Sequence, residues 1–188
     1  MQEVNIPQTN YWIAQDILKE QDIIKINNYI ESNFDFYEPN DKFDSKKKYS
    51  NVKCISYEKI KNFLKPFIET IEECNSEMVG WDINPPSSYD VGSLNIYNPN
   101  NGGEYKWHND SSNTLTDIKY TLLINLSTQK YEGGKFQLFN GGELDIPQID
   151  IPGGAIWFKS YVNHRVLPVT KGERRTLAFF ILGPKFKW

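Results

Sequence analysis

Arg174-Arg175-Thr176-Leu177-Ala178-Phe179-Phe180-Ile181, near the end of this 188-residue chain, alternates with period two. Successive side chains of an extended strand point to opposite faces. Arg174, Thr176, Ala178 and Phe180 therefore share one face, and Arg175, Leu177, Phe179 and Ile181 the other. After Arg175 the second face is wholly apolar and needs cover. Two upstream stretches with helical spacing can supply it: Leu18, Ile23, Ile26 and Ile30 fit one apolar stripe, and Ile60, Phe63, Leu64, Phe67, Ile68 and Ile71 fit another. The strand thus predicts a sheet with helices packed on one side.

Working outward, the texture changes after Gly80. Proline and glycine punctuate short runs rich in β-branched and aromatic residues at Ser93 to Tyr97, Lys119 to Leu126, Lys135 to Phe139, Gly154 to Phe158 and Thr176 to Leu182. Short strands at such intervals predict an antiparallel sandwich or barrel. The expected class is α+β, mainly β, as one domain over 1–188, with helical support and a loop in 1–79 and the β-core in 80–188. The polar run Asn40 to Ser50 reads as a loop, and its Lys46-Lys47-Lys48 as a solvated turn.

Composition narrows the function classes. A chain of this length can bury about 70% of the surface its unfolded form exposes. Tyr 11, Phe 11 and Trp 5 are far too many aromatics for a disordered chain. A net charge of −3 with scattered charges argues against general binding to nucleic acid or to an acidic membrane surface. Two cysteines, Cys54 and Cys74, are too few for a disulfide framework. With no leader-like segment and no run of eighteen apolar residues, the chain reads as soluble and cytoplasmic, a monomer or homodimer.

Only two histidines occur, and each has a metal-compatible neighbourhood. Tyr105-Lys106-Trp107-His108-Asn109-Asp110 contains His-x-Asp, whose side chains project to the same side of an extended strand. His164 follows fifty-four residues after Asp110. Two histidines and a carboxylate match the facial triad of non-haem Fe(II), which leaves coordination positions open. Arg174 comes ten residues after His164, with Pro168 and Gly172 between them, which predicts a strand-turn-strand in which the Arg174 strand runs back beside the His164 strand. An inward guanidinium there can hold a dicarboxylate end in a bidentate fork, with Thr176 offering a hydroxyl from the same face. Arg175, of opposite parity, reads as structural or surface-facing. On these residues alone, a jelly-roll binding module with a structural metal and a Zn(II)-dependent hydrolase remain open beside a non-haem iron enzyme.

His108-x-Asp110, Tyr131-Glu132-Gly133-Gly134, Gly153-Gly154-Ala155-Ile156-Trp157-Phe158 and His164-Arg165-Val166-x-Pro168-Val169 with Arg174, taken in this order, resemble the 2-oxoglutarate- and Fe(II)-dependent dioxygenases of the prolyl 4-hydroxylase-like group. The flavour is that of the bacterial and phage PKHD-type hydroxylases, and the match runs from about Trp81 to Leu182. The resemblance implies a double-stranded β-helix, or jelly roll, with supporting N-terminal helices. It implies His108, Asp110 and His164 as iron ligands, Arg174 as holder of the remote carboxylate of 2-oxoglutarate, dioxygen as oxidant, and ascorbate as an auxiliary reductant. Tyr97 and Tyr105 fall where relatives place tyrosines lining the cosubstrate pocket. Asn125 stands where several relatives place a tyrosine that binds 2-oxoglutarate.

The implied activity is hydroxylation of an unactivated C–H bond in a small-molecule or peptidyl substrate, with 2-oxoglutarate converted to succinate and CO2. Trp107, Asn109, Trp157, Asn163 and Arg165 are candidates for the substrate mouth, with the Asn40 to Ser50 run as a candidate lid. The two glycine pairs are explained by backbone geometry.

Overall fold

The computed structural model describes residues 9–15, 17–38, 47–111 and 117–186. Along these residues the elements are β1 (Tyr11–Ala14), α1 (Glu20–Asn33), β2 (Phe36–Glu38), β3 (Lys48–Tyr49), β4 (Asn51–Ser56), α2 (Tyr57–Met78), β5 (Val91–Tyr97), β6 (Glu104–His108) and β7 (Asp117–Asn125). The chain continues through β8 (Glu132–Gly133), β9 (Phe136–Phe139), β10 (Glu143–Asp145), β11 (Ala155–Lys159), β12 (His164–Val166), β13 (Val169–Lys171) and β14 (Arg174–Gly183).

The strand that decided the fold is central. β14 pairs antiparallel with β5 on one side and β7 on the other, inside a seven-stranded sheet ordered β1-β11-β7-β14-β5-β4-β2. A five-stranded sheet ordered β10-β9-β12-β6-β3 faces it, and β13 pairs with β8 in a short ladder of their own. This is the expected sandwich with helices on one side.

The alternation of β14 divides two interiors. Leu177, Phe179 and Ile181 are at most 2% exposed and pack with Ile23, Ile26 and Ile30 of α1 and with Ile60, Leu64, Phe67 and Ile71 of α2. Burying a side chain of that size contributes about 1.5–3 kcal/mol relative to leaving it in water. Polar pins fix the helices in place. Asn27 of α1 donates to the Leu126 carbonyl at 2.7 Å, and Asn75 of α2 accepts from the Tyr120 hydroxyl at 2.7 Å. Between the sheets lies a second cluster, in which Leu123, Ile156, Phe158 and Ala178 meet Phe136, Leu138 and Val166.

Two expectations are corrected. The Asn40 to Ser50 run is not loop throughout, because 48–49 form a strand, and 36–38 and 51–56 on either side of the run are strands that together with it extend the edges of both sheets. These strands are too short for period-two alternation to stand out between two helices. The Arg174 strand also does not run beside the His164 strand. β12 pairs with β6 and β9, whereas β14 lies in the opposite sheet, because β13 and its ladder with β8 carry the chain across the sandwich. Residues 40–46, including Lys46 and most of the candidate lid, lie outside the described residues.

Candidate metal centre and anion pocket

β6 and β12 bring the two histidines face to face. His164 is the ladder partner of His108, while Val166 is the partner of Tyr105, so four residues of β6 stand opposite three of β12. One extra residue in a strand is a β-bulge, which reverses the side-chain alternation locally. Tyr105 and His108, three apart, consequently face the same interior and stack with ring centroids 3.4 Å apart. The His108 and His164 ring centroids lie 4.0 Å apart.

Asp110 lies just past the end of β6, where its backbone N–H donates to the Ser160 carbonyl at 2.9 Å. Its carboxylate approaches His108 Nε2 at 3.7 Å and His164 Nε2 at 3.5 Å, and the candidate ligand atoms of the three residues all lie within 4.8 Å of one another. Each imidazole turns Nδ1 toward a backbone carbonyl, His108 to Lys106 at 2.7 Å and His164 to Val162 at 3.1 Å. A carbonyl only accepts, so Nδ1 carries the proton and Nε2 keeps its lone pair for a metal. Burial first of all pushes His108 down to about 3 and His164 down to about 4, so both are neutral ligands at pH 7. Burial likewise raises Asp110, opposed by His108 and by the Thr121 hydroxyl, which donates to the carboxylate at 2.7 Å. Two neutral nitrogens and one carboxylate around a point open to a cavity make a donor set suited to Fe(II).

The cavity is about 210 Å³ and is lined by Tyr97, Tyr105, His108, Asp110, Thr121, His164, Arg174 and Thr176, among others. Arg174 is fully buried, and its Nη1 donates to the Thr176 hydroxyl. Among the described residues its Nε and Nη2 have no hydrogen-bond partner. Buried polar groups are nearly always paired, and a charged one left unpaired is expensive. The unpaired edge of a guanidinium fits a carboxylate in a two-point fork. The residues therefore fit both Fe(II) and a dicarboxylate.

Neighbouring groups shape this end of the cavity. Tyr97 is buried, its ring centroid 5.9 Å from the Arg174 guanidinium carbon, and burial pushes its phenol up to about 12. Asn125 does not line the cavity. Its side-chain N–H groups go to the Ile149 carbonyl at 2.9 Å and the Tyr131 hydroxyl at 3.1 Å. That hydroxyl in turn donates to the Asp150 carbonyl at 2.9 Å. Asn125 is thereby a support for Tyr131, whose phenol is raised by burial and lowered by the Arg174 charge. Gly134, with φ +62°, makes this approach possible: a Cβ there would lie 3.1 Å from Arg174 Cδ and 2.8 Å from Val169 Cγ2.

The candidate mouth residues do not line this cavity. Trp157 is a correction: it is 3% exposed and stacks on Trp12 beneath the helices, because its position on β11 faces away from the site. Arg165 lies over Trp107 and donates to Gln137 and Glu143, while Asn109 pairs with Asn163. Lys48 corrects the solvated-turn reading. It is laddered opposite Tyr105 on β3 and lines the cavity. Sequence reasoning also missed Thr121 and Tyr131. The parity of the strand at Lys119 to Leu126 could have found the first. Tyr131 opens the Tyr131-Glu132-Gly133-Gly134 motif, but only the folded chain brings it to Arg174.

Comparison with known proteins agrees with this geometry. Residues 92–182, which carry every ligand candidate and Arg174, match the family model of the 2OG-Fe(II) oxygenase superfamily. A PKHD-type hydroxylase of Synechococcus sp. (strain CC9605) is 33% identical over 88 residues, 45% of this chain and 39% of that protein, so the chain spans about two fifths of this curated relative. A prolyl-4-hydroxylase of Pseudomonas putida superposes with a TM-score of 0.73 at 16% identity, covering 95% of both chains. The viral collagen prolyl hydroxylase of Paramecium Bursaria Chlorella virus-1, solved with 2OG, does so with a TM-score of 0.69 at 17% identity, over 94% of this chain and 97% of that one. Nearly half of the chain thus matches the 2OG-Fe(II) oxygenase superfamily model, and the fold is the prolyl 4-hydroxylase-like double-stranded β-helix.

Proposed function

We propose that the protein is a dioxygenase that couples the oxidation of 2-oxoglutarate to hydroxylation of a C–H bond in a small-molecule or peptidyl substrate. The observation that carries this reading is Arg174: a fully buried guanidinium with Nε and Nη2 unpaired among the described residues, in the same cavity as His108, Asp110 and His164. A structural metal site has no need of such a group.

Bound at this site, Fe(II) and 2-oxoglutarate would supply the oxidising chemistry, in which one atom of O2 enters the substrate C–H bond to give an alcohol and the other enters succinate as 2-oxoglutarate loses CO2. The chain's own residues bind and orient. His108 and His164 offer Nε2 because the Lys106 and Val162 carbonyls fix their tautomers. Thr121 holds one oxygen of Asp110 and thereby orients the carboxylate. Arg174 binds the far carboxylate of the cosubstrate, and Thr176 holds the guanidinium at that angle. Leu123, Phe136 and Val166 line the same cavity and exclude water from it.

The test is anaerobic titration of the Fe(II)-loaded protein with 2-oxoglutarate. A visible metal-to-ligand charge-transfer band is expected for the wild type and for Arg175→Ala at the same 2-oxoglutarate concentration. Absence of the band in the wild type at saturating cosubstrate would reject the reading.

A further inference from the structure

The catalytic cavity adjoins a second one. Ser93 and Phe180 line both, and the second cavity, about 330 Å³, is walled further by Phe36, Cys54, Tyr89, Val91, Ile118 and Leu182. Asp90 is the one charged side chain on its walls among the described residues.

Both cavities share a floor whose chemistry changes steadily along one strand. The inward residues of β14 run Arg174, Thr176, Ala178, Phe180 and Leu182, from guanidinium through hydroxyl and methyl to phenyl and isobutyl. Phe180 is the ladder partner of Thr121, the residue that holds Asp110. The apolar end of the floor thus begins beside the carboxylate of the metal-ligand set. The ladder also extends the floor sideways, from Ala178 to Ser93 to Cys54 to Phe36 on the edge strand β2. At the rim two aromatic rings are left in water, Phe36 at 52% and Tyr89 at 93% exposure. Exposed rings around an apolar concavity mark a place where something apolar binds.

Size points the same way. Ligand pockets usually span about 300–1,000 Å³. The catalytic cavity alone is smaller than that and must also take a five-carbon dicarboxylate, whereas the two cavities joined fall inside the range. We propose that the second cavity is the substrate subsite, and that it takes an apolar or aromatic group carried by the molecule that is hydroxylated. The inference rests on the oxygenase reading, with the cosubstrate at the Arg174 end and the oxidised carbon near Asp110. A small, wholly polar substrate such as a free polar amino acid would leave this half of the floor unused.

The probe is indole, titrated into the uniformly ¹⁵N-labelled full chain without metal, with L-proline as the polar comparison. Indole is expected to shift the amides of Val91, Ser93, Ile118 and Leu182, and L-proline is expected not to. Phe36→Glu, at an exposed rim position away from the metal, should weaken indole at least tenfold. Amide shifts confined to other parts of the molecule would overturn the proposal, as would equal indole affinity in Phe36→Glu. So would failure of indole to bind. Mn(II) and 2-oxoglutarate are then added. Broadening of the indole protons by the metal is expected. If Mn(II) binds without broadening them, the cavity is not the substrate subsite. If Mn(II) fails to bind while indole still shifts the groove amides, it is the oxygenase reading that falls, and the substrate role falls with it.

Discussion

Arg174 and Arg175 are neighbours in the chain with opposite surroundings. Arg175 faces the helices and is held by three acceptors: it donates to Glu31 of α1 at 2.9 Å, to Glu173 at 2.7 Å and to Asn27 at 3.0 Å. Arg174 faces the catalytic cavity, is more deeply buried, and has Nε and Nη2 without a partner among the described residues. The helix face of the sheet satisfies its own groups, whereas the cavity face leaves one of its most expensive groups unsatisfied. An unsatisfied buried charge is poor for stability and persists where a ligand completes it.

The sharpest way to break that contrast is at the metal-ligand set. Asp110→Ala is expected to abolish Fe(II) binding and succinate formation while the fold is retained by circular dichroism. Wild-type-like succinate production would reject the ligand assignment. On the other face, Phe179→Ala should lower unfolding free energy by about 3–5 kcal/mol, read by chemical denaturation, because it opens a cavity in a core where Phe179 is 1% exposed. The affinity of the folded fraction for 2-oxoglutarate should not change.

Arg174→Met tests the central claim from both sides. Removing the guanidinium should weaken 2-oxoglutarate binding by roughly 2–5 kcal/mol. The same change should stabilise the ligand-free protein by roughly 1–3 kcal/mol, since it removes donors that are buried and unpaired. A loss of both binding and ligand-free stability would mean that Arg174 is a structural residue.

Tyr131→Phe is a finer probe. It removes the hydroxyl that links Asn125 and Asp150 beside Arg174, and is expected to weaken 2-oxoglutarate by about 1 kcal/mol, roughly fivefold, in a binding titration. Arg175→Ala should have the smallest effect, about 1 kcal/mol of stability through its partly exposed ion pairs and no change in cosubstrate affinity. Equal effects of Arg174 and Arg175 variants on cosubstrate binding would erase the distinction between the two faces.

Much of this was legible because its signals are local. Period-two alternation in β14 separated the two arginines, and helical spacing marked the stripes of α1 and α2. His108, Asp110 and His164 could be singled out because their residue types are scarce or closely spaced. Other features depended on contacts that no spacing reveals. The bulge in β6 that turns Tyr105 to the same side as His108 exists only as a mismatch with β12. Asn125 sits at the position expected of a cosubstrate ligand, yet its amide is engaged by Ile149 and Tyr131. Lys48 looked like part of a charged loop until its two-residue ladder with β6 turned it toward the cavity.

The sequence by itself determined which residues share a strand face and which stripes can cover an apolar sheet, since both follow from the geometry of a single chain segment. The tertiary structure decided how the segments meet. It put His164 and Arg174 on opposite sheets, left the Arg174 guanidinium incompletely paired among the described residues, and set an apolar cavity beside the catalytic one across Phe180. Those outcomes depend on long-range pairing and burial, which are set by the packing of the whole chain.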